Sequence, residues 1–183
     1  MGLKWLPNAL TIARCLLAFV VGWAILALSP IWALGLFIVT ALSDFFDGYA
    51  ARKLNAVSAF GAFLDPVADK LLVAAALIAL CLQQDWALLI TIPTAIIILR
   101  DTAVTLFRLF PSIKLPVVNL AKWKTALEML GIGGVLAAAL FEPRQEIVFI
   151  AGLVLIWLAA LLSAYTGVRY ASSAVSQMQN DHA

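Results

Sequence analysis

Two short runs place charge where an otherwise apolar chain should carry none. Ser43-Asp44-Phe45-Phe46-Asp47-Gly48 follows one long uncharged stretch, and Asp65-Pro66-Val67-Ala68-Asp69-Lys70 precedes another. Asp44 and Asp47 are spaced i, i+3, and Asp65 and Asp69 i, i+4, so on helices each pair shares a face. If the two helices are neighbours across their short connection, all four carboxylates converge. Such a group repels itself in a poor dielectric, and no dedicated cation stands beside it. A hard divalent metal is the natural compensation, because oxygen ligands favour it. Two such ions suit four carboxylates and phosphate chemistry. The plainer alternative is a set of helix-end charges paired with Arg52, Lys53 and Lys70, and spacing by itself leaves it open. Gly48 and Gly61 are the only glycines between positions 36 and 130. Beside Asp47 and one turn before Asp65, a missing side chain would let a substrate phosphate approach the backbone.

The elements that must hold these carboxylates are membrane helices. The chain has 183 residues, 64% hydrophobic and only 12% charged, with a mean hydropathy of +1.05. A soluble domain carries about 45–50% apolar and about 25% charged residues. The composition therefore excludes a soluble enzyme, a disordered chain and a nucleic-acid binder, and a net charge of +2 is too small to call for a polyanion partner. Cys15 and Cys81 have neither metal-like nor redox spacing. A span needs roughly 20 apolar residues, and the pattern predicts one all-α domain over residues 1–183 with six transmembrane helices. Their bounds are roughly 8–28, 31–52, 62–83, 86–109, 119–141 and 146–170. The connections at Ser29-Pro30, Gln83-Gln84-Asp85 and Glu142–Glu146 contain only one basic residue, Arg144, while the other eleven lie towards the opposite side. Both termini, and the carboxylates, are thus expected on the cytoplasmic side. A signal peptide over residues 1–28 is disfavoured, because the run continues into another span without a polar mature region. Intramembrane charge is a functional signal by default.

Residues 44–69 read D-x2-D-G-x2-A-R-x8-G-x3-D-x3-D through Asp44, Asp47, Gly48, Ala51, Arg52, Gly61, Asp65 and Asp69. This resembles the signature of the CDP-alcohol phosphotransferases at every defined position, and six helices fit that family too. The resemblance implies two magnesium or manganese ions on the four aspartates, binding the diphosphate of a CDP-linked lipid. It implies that Asp69 is the base that deprotonates the acceptor alcohol. It also places Gly48, Arg52 and Gly61 against the nucleotide-diphosphate region and Ser58 on the cytidine side. Leu6–Arg14 resembles the P-N-x-L-T-x2-R opening of the bacterial glycerophospholipid branch, which puts Asn8 and Thr11 beside the CDP-diacylglycerol site; Asn8 could equally be a helix N-cap. A bacterial inner membrane, a cytoplasm-facing site and a homodimer follow from the same likeness.

The acceptor should be read on the fourth and fifth helices. Arg100, Arg108, Lys122 and Lys124 bring four basic groups toward the cytoplasmic half, which suits an acceptor carrying a phosphate such as glycerol 3-phosphate. Ala121-Lys122-Trp123-Lys124-Thr125 resembles the G-K-x-K-T element of the phosphatidylglycerophosphate-forming branch. Ala121 departs from its glycine, and Asp101 stands where that branch has glutamate. Arg100-Asp101 is more similar to the cardiolipin-forming branch, whose acceptor is phosphatidylglycerol. Two readings outside the family remain: an aspartate-rich prenyltransferase, which the Gly48, Arg52 and Gly61 pattern fits poorly, and a cation transporter with buried carboxylates. Glu128, one turn after Lys124, is expected to pair with it along the helix, and His182 sits in the tail. Gly131, Gly133 and Gly134 with Ala137 and Ala138 suit a close helix contact, within the chain or between copies.

Overall fold

The computed structural model describes residues 6–53, 59–108 and 120–180, and places side chains for most of those between 12–43, 67–106 and 123–172. The described residues form six helices and no strand: α1 (Leu6–Ala27), α2 (Pro30–Lys53), α3 (Ala59–Gln83), α4 (Leu88–Arg108), α5 (Leu120–Ala138) and α6 (Gln145–Asn180). All six predicted helices are present. The largest departure is α6, which runs ten residues beyond its expected end at 170. Ala171–Asn180 is too polar to extend a span, yet it contains neither glycine nor proline to stop a helix.

Tight turns make three antiparallel hairpins. The Ser29 carbonyl accepts from the Trp32 and Ala33 amides at 3.0 and 3.2 Å, with Pro30 at the first position of α2, where its missing N–H costs nothing. At the end of α3 the Trp86 amide donates to the Cys81 carbonyl at 2.8 Å and the Asp85 amide to Leu82 at 3.3 Å. That is a Schellman closure. Its left-handed positions fall on Asp85 and Trp86, with φ of 49° and 57°, so α4 begins at Leu88 rather than 86. Leu28, Pro30, Gln84, Ala139 and Gln145 line one cavity, which brings the three turns together at one end of the bundle. The end of α2, the start of α3, the end of α4 and the start of α5 therefore lie at the other end.

Small residues and branched side chains such as Ile25, Leu77, Leu80, Ile97 and Ile156 share the core, and further large apolar residues remain on the outside. Ala18, Ala24, Ala33, Ala76, Ala159 and Ala160 are almost wholly buried, whereas Phe19, Trp23, Leu99, Leu130 and Val168 are exposed. An apolar outer surface of this extent marks a lipid-facing or partner-facing wall. Leu88–Leu106 and Gln145–Tyr170 are long and apolar enough to cross a membrane. α5 packs most extensively on α6, α1 on α3, and α4 on α6 and α3. A Cβ on Gly152 would lie 2.6 Å from the Val135 amide nitrogen, and one on Gly134 3.1 Å from the Gly152 Cα. The small-residue stripe of α5 is thus an intrachain contact with α6, while Gly133 faces Phe37 of α2. α4 contains Pro93, which cannot donate to the carbonyl four residues earlier. That carbonyl, Leu89, instead accepts from the Trp157 indole of α6 at 2.8 Å.

Candidate functional site

The carboxylate-rich end is built from the ends of helices. Asp44, Asp47, Gly48 and Arg52 occupy the last three turns of α2, and Gly61, Asp65 and Asp69 the first half of α3. Asn8 and Thr11 lie in the first two turns of α1, Lys122 in the first turn of α5, and Arg108 is the last residue of α4. Their side chains, and Ser58 altogether, lie outside the described residues, so the convergence of the four carboxylates does too. Hairpin topology puts the helix segments bearing them at one end of the bundle. The donor set itself, oxygen-only and fourfold anionic, is chemically matched to a hard divalent cation.

Next to that segment the side chains are placed, and they form a buried ionic cluster. Asp101 (α4), Lys124 and Glu128 (both α5) are 8%, 3% and 2% exposed. Asp101 Oδ1 accepts from Arg100 Nη1 at 2.8 Å and from Lys124 Nζ at 2.5 Å. Lys124 Nζ also lies 3.0 Å from Glu128 Oε1, an ion pair across one helical turn. The second arm of Arg100 donates to Thr166 Oγ1 at 3.0 Å, and its guanidinium sits 5.3 Å from the centre of the Tyr170 ring. On the other side Lys70, the residue after Asp69, donates to the Asp101 carbonyl at 2.9 Å and to Thr105 Oγ1 at 2.6 Å. One aspartate therefore ties α3, α4 and α5 together, and α6 through Arg100.

The expected Lys124–Glu128 pair is present, and two of the four proposed acceptor cations, Arg100 and Lys124, share one carboxylate oxygen. The hub itself is what spacing did not reveal. Asp101 lies 23 residues from Lys124, and Thr166 and Tyr170 lie farther still along the chain. The one available signal was an aspartate adjoining an arginine inside an apolar helix. Such a charge must be paired, since an isolated buried carboxylate is very costly.

With motif and helix bundle in hand, the comparisons with known proteins decide the family. The family model for CDP-alcohol phosphatidyltransferase matches residues 4–165. The chain belongs to that family. It is 38% identical to a Rickettsia bellii protein named CDP-diacylglycerol--glycerol-3-phosphate 3-phosphatidyltransferase, over 90% of this chain and 92% of the relative. It is 36% identical to a Haemophilus influenzae protein of the same name, over 90% of each. A rice protein named Cardiolipin synthase (CMP-forming) is 37% identical over 74% of this chain but only 46% of its own length. Family membership sets the transporter and prenyltransferase readings aside.

Proposed function

We propose that this CDP-alcohol phosphatidyltransferase moves the phosphatidyl group of CDP-diacylglycerol to sn-glycerol 3-phosphate, giving phosphatidylglycerophosphate and CMP. The observation that carries this is similarity along nearly the whole of both chains to bacterial relatives of that name. In this reading all six helices cross the bacterial inner membrane, both termini are cytoplasmic, and the carboxylate end faces the cytoplasm. The basic residues support it, since Arg144 alone stands in the three turns at the opposite end. Self-association would use a face other than the glycine stripe, which α6 covers.

Asp44, Asp47, Asp65 and Asp69 would hold two magnesium or manganese ions, whose charge offsets that of the donor diphosphate. Arg52 presents a planar fork to the same diphosphate, Gly48 and Gly61 let it approach the backbone, and Asn8, Thr11 and Ser58 border the nucleotide. Asp69 takes the proton of the acceptor hydroxyl as its oxygen bonds to the phosphatidyl phosphorus. The bond from that phosphorus to the oxygen of CMP breaks, and CMP departs. Such transfer needs positioning and charge neutralisation more than covalent help. Arg100, Arg108, Lys122 and Lys124 form the cationic wall for the acceptor phosphate. Arg100 and Lys124 are ion-paired with Asp101 and Glu128, which fixes where they stand in that wall.

That same compensation favours a second reading, cardiolipin synthesis with phosphatidylglycerol as acceptor. The test is to incubate purified protein with CDP-diacylglycerol and each radiolabelled acceptor, and to identify the lipid product. Phosphatidylglycerophosphate from glycerol 3-phosphate is expected. Cardiolipin alone would overturn the first reading.

A further inference from the structure

We infer that Asp101 is a positioning residue for the acceptor site, holding Arg100 and Lys124 in the arrangement that the acceptor phosphate meets. This deepens the function proposed above and rests on it. Arg100 and Lys124 come from different helices, and two cations brought side by side repel unless an anion sits between them. Asp101 supplies that anion with a single oxygen, at 2.8 Å from one and 2.5 Å from the other. Its own position is over-determined, since Lys70 and Thr105 both donate to its main-chain carbonyl. Arg100 is fixed from behind as well, by Thr166 and by the close approach of Gly167 to its Cγ, 3.1 Å from a Cβ built there. The outcome is a rigid cluster in which Arg100, Lys124 and Lys70 face Asp101 and Glu128, leaving one residual positive charge. Without the carboxylate, Lys124 would turn to Glu128, which shares its helix, and Arg100 would lose its link to α5. Asp101 does not touch the acceptor in this arrangement; it acts through the two cations.

The experiment compares wild type, Asp101→Asn and Asp101→Glu in kinetics with both substrates, alongside thermal unfolding of each. Wild type is first assayed with glycerol 3-phosphate and with phosphatidylglycerol. If it uses only the latter, the proposed function fails, and Asp101 is then judged on the acceptor that is used. Asp101→Asn should raise the acceptor KM by about 10–150-fold, the range of one charge-assisted hydrogen bond, and leave the CDP-diacylglycerol KM unchanged. Asp101→Glu, which restores the charge, should recover most of the loss. The proposal falls if Asp101→Asn only reduces the amount of folded protein while both KM values stay at wild type. It falls equally if Asp101→Glu behaves as Asp101→Asn does. Should Asp101→Asn fail to fold, the double variant Asp101→Asn with Lys124→Gln is compared with Lys124→Gln alone. Equal acceptor KM values in the two place the effect on Lys124, a further rise confined to the acceptor KM is the share carried by Arg100, and a rise that falls equally on the CDP-diacylglycerol KM overturns the proposal.

Discussion

α5 and α6 meet in two ways along one pair of helices. Around Gly131, Gly134 and Gly152 their backbones touch because side chains are missing, and a single methyl would strike an amide nitrogen at 2.6 Å. One to two turns nearer the start of α5, Glu128 and Lys124 are charged and buried, and Lys124 is linked to α6 through Asp101, Arg100 and Thr166. The first contact is stabilised by dispersion between close-packed atoms, which needs no particular chemistry. The second burdens the fold with desolvated charge, which stability alone does not justify, since a packed apolar core often does as well. A seam at one end and a charged cluster at the other therefore point to different demands. The seam holds the bundle together, and the cluster stands at the end of the bundle that carries the four aspartates.

The strongest challenge to that division comes from the aspartates at the charged end. Chelation with EDTA should abolish transfer, and added magnesium or manganese should restore it. Full activity after bound metal has been shown to be gone would remove metals from the mechanism. Asp69→Asn should reduce turnover by about 10²–10⁴-fold, the usual scale of general-base loss, while thermal unfolding stays near wild type. A near-normal rate would take Asp69 out of the role of base. Lys124→Gln comes next, with the acceptor KM expected to rise about 10–150-fold. This variant should also unfold more readily, because Glu128 loses the cation 3.0 Å away. An unfolding shift with no KM change would make the charged cluster a mere strut and break the comparison.

Much of this architecture was legible in sequence, and what was not has a common cause. Hydropathy located all six helices, and Ser29-Pro30 marked the first turn because proline at that position needs no donor. The Lys124–Glu128 pair was legible because it repeats within one helical turn. The end of α6 was not, since hydropathy stops at a membrane boundary while the helix continues through Ala171–Asn180. Asp101 as the shared partner of Arg100 and Lys124 was not legible either, because nothing local joins residues on different helices. The motif on α2 and α3 identified the family by residue type and spacing, without any contact being known.

At the seam the expected effect is on stability alone. Gly152→Ala places a methyl 2.6 Å from the Val135 amide nitrogen and 2.9 Å from the Gly131 carbonyl. These are backbone atoms, which cannot turn aside as a side chain would. Overpacking of this kind costs about 1–3 kcal/mol, read as a lower unfolding temperature in detergent. The surviving folded enzyme should keep both KM values. A selective change in acceptor KM would show that the seam also transmits geometry to the charged end.

The smallest effect tests a second apolar-side contact, where a hydrogen bond rather than a missing side chain joins two helices. Pro93 leaves the Leu89 carbonyl without its helical donor, and the Trp157 indole donates to it at 2.8 Å. Trp157→Phe keeps most of the ring and removes the donor, so the carbonyl loses this partner. A net hydrogen bond contributes about 0.5–1.5 kcal/mol, and little water stands within a bilayer to replace it. The loss should appear as a modest fall in unfolding temperature with unchanged kinetics. Pro93→Ala supplies the missing helical N–H to Leu89. In that background Trp157→Phe should cost less than it does in the wild type, and the difference between the two costs measures the coupling. Equal costs in both backgrounds would mean that Trp157 contributes through its ring packing, and that the proline and the indole are not partners.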